Sequence, residues 1–151
     1  MSINATDDII DLRDVTDRVD ELREERDEVQ EAVEGAELGT LEYEVAAQAL
    51  NEWLTENREE LEELEALLEE CKGLGGDHQW EGDWYPLMLI ARDHFVDHIK
   101  ELIHDCYEMP KEMDSGRWPY CFMAINYEGA AQEAEADYES VDFRGYEFLT
   151  R

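Results

Sequence analysis

Between Thr6 and Glu34 the chain holds neither glycine nor proline. Leu12, Val15, Val19, Leu22, Val29 and Val33 fall there on alternating three- and four-residue steps, with Arg26 filling the one missing position. Apolar residues at that spacing form one stripe of an α-helix, and the stripe needs a second one to cover it. The next segment supplies a match. From about Thr40 to Lys72, Tyr43, Ala47, Leu50, Leu54, Leu61, Leu64, Leu68 and Cys71 keep the same spacing, interrupted at Asn57. Gly35 and Gly39 lie between the two runs, so residues 1–72 are expected to form an antiparallel helical hairpin of coiled-coil type. Thr6, followed by Asp7 and Asp8, is the expected N-cap of the first helix.

Gly73, Gly75 and Gly76 end the hairpin, and the aromatic-rich stretch from His78 to Pro86 is expected to pack where the hairpin meets the rest of the chain. Residues 73–151 read as a small α+β module. Residues 87–108 predict a third amphipathic helix, with Ile90, Phe95, Ile99, Leu102, Ile103 and Cys106 on one side and Asp93, Asp97, Lys100, Glu101 and Asp105 on the other. Pro110 stops it. Tyr120 to Ile125 reads as a strand, Asn126 as the cap of a short helix running to Tyr138, and Val141 to Leu149 as a C-terminal β-hairpin turning at Arg144 and Gly145. The fold class expected is α+β, mostly helical.

Charge bears on partners. Asp and Glu number 42 against 12 Lys and Arg, a formal net charge of −30. Such a surface repels nucleic acid and anionic membrane and attracts basic clefts, so the expected partner is a protein with a positively charged groove. Apolar residues make up 43% of the chain and aromatics 10%, which is the composition of a folded protein and not of a solvating acidic tail. The apolar run Leu87 to Ala91 is too short to span a bilayer, and Asp7, Asp8 and Asp11 leave no basic start for a signal peptide. The expected location is the cytoplasm. Cys71, Cys106 and Cys121 form an odd set without C-x-x-C spacing, expected as reduced, partly buried thiols.

The acid concentrates in the hairpin: residues 1–72 hold 25 acidic and 6 basic side chains, residues 73–117 hold 10 and 4, and residues 118–151 hold 7 and 2. Along the second helix Glu52, Glu56, Glu59, Glu60, Glu62, Glu63, Glu65, Glu69 and Glu70 face a single Arg58, net −8 over 18 residue steps. At a rise of about 1.5 Å per residue this is about 27 Å, or one charge per about 3.4 Å, near the axial spacing of phosphates on one DNA strand. Ordinary coiled coils offset Glu with Lys at the flanking positions, whereas this chain has only Lys72, Lys100 and Lys111. The candidate partner-binding residues are Glu52, Glu56, Glu59, Glu60, Glu62, Glu63, Glu69 and Glu70 on the second helix and Asp17, Glu21, Glu24 and Glu28 on the first.

Catalytic readings find no support. His94 and His98, four apart, could join Glu101 and Asp105 around a divalent metal. However, Phe95 stands where the H-E-x-x-H pattern of zinc hydrolases needs its glutamate. Cys106 lies two residues from His104 and so points to a different face of the helix. No glycine-rich phosphate loop occurs, and carboxylates are so frequent that no pair is singled out as a dyad. Neither a metal nor an organic cofactor is expected.

The run from Trp118 to Phe148 (WPYCFMAINYEGAAQEAEADYESVDFRGYEF) resembles the last part of ArdA-type antirestriction proteins and of acidic prophage antirestriction proteins. The matching residues are Trp118, Pro119, Asn126, Tyr127, Glu128, Ala131, Asp137, Tyr138, Ser140, Val141, Asp142 and Phe143. RDHFVDHIKELIHD looks like the helix preceding that module, and IIDLRDVTDRVDELREERDEV like the coiled-coil start of the same proteins. The resemblance implies an elongated acidic protein, often dimeric, that imitates duplex DNA and occupies the DNA groove of a restriction enzyme. It adds Glu128, Asp137 and Asp142 to the candidate contacts. This chain departs from the pattern in having a helical hairpin where the family has acidic N-terminal domains.

The expected function is therefore that of a phage or mobile-element protein acting in the host cytoplasm as a DNA mimic against a restriction-modification or CRISPR complex, as a monomer or a homodimer. The alternatives are an acidic coiled-coil adaptor and a halophile protein of unrelated function.

Overall fold

The computed structural model describes residues 2–75 and 85–151. A short strand, β1 (Ile9–Asp11), leads directly into α1 (Leu12–Gly35), and α1 is followed by α2 (Leu41–Cys71). The turn between the helices uses Gly39 at φ 87°, a left-handed conformation that favours glycine. The Thr40 side chain then caps α2 by accepting from the Tyr43 N–H at 3.2 Å. After the hairpin come β2 (Met88–Ala91), α3 (Phe95–Cys106), α4 (Tyr127–Ala134), β3 (Glu139–Phe143) and β4 (Tyr146–Thr150). The protein is α+β and mostly helical, with an N-terminal antiparallel helical hairpin followed by a small α+β part that ends in a β-hairpin.

The four strands form one antiparallel sheet in the order β1-β2-β4-β3. Successive side chains of a strand point to opposite faces, and both faces here are apolar. Leu89, Val141, Phe143 and Phe148 join Leu12, Val15, Val19, Leu22, Leu61, Leu64, Leu67 and Cys71 in one buried cluster beneath the base of the hairpin. Ile90 and Leu149 join Phe95, Ile99 and Ala131 on the other side, under α3 and α4. The result is three layers, hairpin base on sheet on helix pair. The inner cluster draws on residues from both sides of position 72.

The buried part of the hairpin stops where both seams turn polar. Among the described residues none from 23 to 60 is buried, so Val29, Val33, Tyr43, Ala47, Leu50 and Leu54 are half-exposed beyond Arg26 and Asn57. Leu67 is buried and Leu68 only half-buried, because the base of α2 turns Leu67 toward β3 and the sheet.

Several expectations are corrected. The first helix does not start at Thr6. Ile9 and Ile10 pair with Ile90 and Leu89 in the sheet, and Asp11 is the N-cap, its carboxylate accepting from the Arg13 N–H at 2.9 Å. Residues 87–108 are not one helix: Met88–Ala91 lies between β1 and β4, where both strand neighbours satisfy its backbone, and a 3-10 turn over Arg92–His94 leads into α3. Tyr120–Ile125 is not a strand. The amides of Cys121, Phe122 and Met123 bond to carbonyls three or four residues back, and Phe122 is 81% exposed. The helix capped by Asn126 stops at Ala134, and a 3-10 turn covers Glu135–Asp137. Cys71 is buried, but Cys106 and Cys121 are exposed thiols. Of the aromatic stretch from His78 to Pro86, only Tyr85 and Pro86 fall among the described residues; Pro86 is buried and Tyr85 packs against the inner cluster.

The C-terminal hairpin forms as expected. Phe143 pairs with Tyr146 across a two-residue turn in which Arg144 (φ 50°) and Gly145 (φ 82°) are both left-handed, the geometry that matches the twist of the flanking strands. No helix among the described residues is long and apolar enough to cross a membrane.

Candidate functional site

Helical periodicity sorts the acid of the hairpin into lines. On α1, Asp17, Glu21, Glu24 and Glu28 follow one another at four, three and four residues, on the side opposite the Leu12-Val15-Val19-Leu22 seam. On α2, Glu52, Glu56, Glu59, Glu63 and Glu70 form one line, with Glu62 and Glu69 beside it. The α1 line lies opposite its own seam, and the α2 line lies on the flank of its helix that meets Arg144 and Asp142 at the base.

Not all of these carboxylates are available. Arg18 reaches from α1 to α2 and grips Glu60 through two bonds, Nε to Oε1 at 2.9 Å and Nη2 to Oε2 at 3.1 Å, while its Nη1 meets Glu21 at 3.2 Å. The hydrogen bonds from Arg18 hold the Glu60 carboxyl below its ordinary range, and the same bonds raise the guanidinium pKa. Arg144, at the β3–β4 turn, pairs with Glu63 and donates to the Ile3 carbonyl at 2.9 Å. Arg23 pairs with Glu65 at 3.1 Å, and Glu70 accepts the Asp142 N–H at 3.5 Å. Glu21, Glu60 and Glu63 thus fasten the fold.

Asp17, Glu24, Glu28, Glu56, Glu59, Glu62 and Glu69 are exposed and meet no cation within ion-pair distance among the described residues. Glu52 is also exposed and accepts from Gln48 at 3.2 Å. Asp142 stands beside Glu70 and extends the α2 acid onto the sheet edge. Glu128 and Asp137 belong to the layer on the other side of the sheet and do not join the hairpin lines.

Cation placement went unseen in the sequence. Arg13, Arg18, Arg23 and Arg26 all lie within the first fifteen residues of α1 and all pair with acids, whereas residues 27–57 hold nine acidic side chains and no Lys, Arg or His. There the helices are joined instead by Trp53, whose Nε1 donates to Glu25 Oε2 at 3.0 Å.

Among the described residues no group of three or more His, Cys, Asp or Glu converges. His94 Nδ1 lies 3.7 Å from Asp8, and His98 packs against the Phe95 ring, where burial first and the neighbouring His94 second lower its pKa. His104 shares a 2.8 Å hydrogen bond with the Tyr127 hydroxyl.

No family model, curated protein or solved structure matches the chain.

Proposed function

We propose that the protein is a DNA mimic, an anti-defence product of a phage or mobile element that occupies the DNA-binding groove of a host restriction enzyme or CRISPR effector. The observation that supports this reading is the pair of carboxylate lines on the hairpin, left in excess of cations because Arg18, Arg23 and Arg144 are consumed in holding the fold. A basic groove built for two phosphate strands meets rows of fixed negative charge. The long-range field steers the encounter, and the exposed glutamates replace phosphate oxygens as acceptors for Lys and Arg.

The test is a binding and cleavage assay with a panel of purified restriction and CRISPR nucleases, using duplex DNA as competitor. The mimic binds one of them, blocks cleavage, is displaced by duplex, and loses affinity steeply as salt rises. Replacing Glu56, Glu59, Glu62 and Glu69 together by Gln leaves the internal ion pairs intact. It is expected to weaken binding by at least about tenfold and to flatten the salt dependence. Unchanged affinity in that variant sinks the mechanism.

A further inference from the structure

The far end of the hairpin carries a second kind of surface. Leu41 and Val45 are 75% and 61% exposed. With Ala32, Gly35, Ala46 and Ala49 they line an open groove of about 750 Å³ between the end of α1 and the start of α2. The small residues leave room for a third backbone to approach, and the two branched side chains form an apolar floor with no cover in the chain's described residues. The groove lies within residues 27–57, which hold nine acidic side chains and no basic one. Glu42 is part of the lining, Glu28 lies one turn before Ala32, and Glu52 one turn after Ala49.

We propose that this groove receives an amphipathic helix of another protein whose apolar stripe is flanked by Lys or Arg. Apolar side chains at i, i+3 and i+4 fill the groove, and the flanking cations meet the acidic rim. Charge selects this occupant over a second copy of the chain, which would bring nine more carboxylates against these nine. The inference does not rest on DNA mimicry, since a line of phosphate-like charges has no use for an apolar floor.

The probe is a synthetic lysine–leucine peptide with its leucines on one helical face, compared with a peptide of the same composition in scrambled order. Binding to the full chain is read by fluorescence anisotropy. The patterned peptide is expected to bind at least about tenfold more tightly than the scrambled one. Val45→Asp, at an exposed position, is expected to raise Kd by about tenfold or more although it adds a negative charge, and Leu41→Ser to act in the same direction. A purely coulombic attraction predicts the opposite sign for Val45→Asp. Equal affinity for both peptides, tighter binding by Val45→Asp, or no binding overturns the proposal. So does a chain that sediments as a dimer and becomes monomeric with Val45→Asp, which would give the groove to a second copy. None of these readouts involves a nuclease, so this inference and the mimic reading fail separately.

Discussion

The two ends of the helical hairpin share one apolar spacing and do different work. At the base, Leu12, Val15, Val19 and Leu22 meet Leu61, Leu64, Leu67 and Cys71 over the sheet, and each arginine of α1 is paired. Beyond Arg26 and Asn57 the same pair of helices stands without a third layer among the described residues, with half-exposed seam residues and no cation up to Arg58. A heptad-like pattern therefore fixes the helices but not what lies against their flanks. The contrast is one of stability as well as surface: the base is part of the core, and the arm is held by its narrow seam and the Trp53–Glu25 bond against its own charge.

The sharpest way to break this comparison is to remove equivalent leucines. Leu64→Ala is expected to destabilise by about 2–5 kcal/mol in chemical denaturation, since Leu64 is fully buried. The half-exposed Leu50→Ala should cost less than about 1.5 kcal/mol. Similar losses at both positions would remove the distinction.

Thiol labelling probes the base without mutation. Cys71 is buried and its pKa is pushed up to about 12, by desolvation first and Glu70 second, whereas Cys106 and Cys121 are exposed. Native protein at mildly alkaline pH should alkylate at Cys106 and Cys121 and leave Cys71 about a hundredfold slower.

Arg18→Ala should cost about 1–2 kcal/mol at neutral pH by releasing Glu60 and Glu21. Glu60 titrates below its ordinary value of 4.5 in the fold, so the stability it contributes is present above that value and is lost as pH falls through the lowered one. Denaturation curves of the parent and Arg18→Ala chains should draw together as pH falls below 4.5. A gap that stays constant from neutral pH into the acid range would assign the loss to packing alone.

The smallest effect is expected from salt. Lowering ionic strength should speed amide exchange in the distal arm severalfold, an opening change below about 1 kcal/mol, and leave the base unaffected. A uniform response along both helices would mean that the arm is no softer than the base.

Sequence spacing made the hairpin legible because its seam repeats over many turns. The strands beside it were hidden for physical reasons. Ile9–Asp11 is three residues long and runs without a break into α1, and the apolar run Met88–Ala91 stands only three residues before α3 while lying in a strand between β1 and β4. The aromatics at 120–125 have the propensity of a strand but no neighbour to pair with, and local bonds take their amides. The acidic surface was visible in composition, yet which carboxylates are spoken for was not. Glu60 meets an arginine 42 residues away and Glu63 one 81 residues away, separations that no local pattern encodes.

The pairing of Ile9–Asp11 with Met88–Ile90 means that the whole hairpin leaves and returns at neighbouring positions on one sheet. It is an insertion between two adjacent strands, and its length is a parameter the rest of the fold does not set. Removing seven residues from α1 and seven from α2, both beyond Arg26 and Asn57, would shorten the arm by about 10 Å at 1.5 Å per residue and keep the seam in phase. The arm is in this sense a ruler anchored at one end, and its graduation is the heptad.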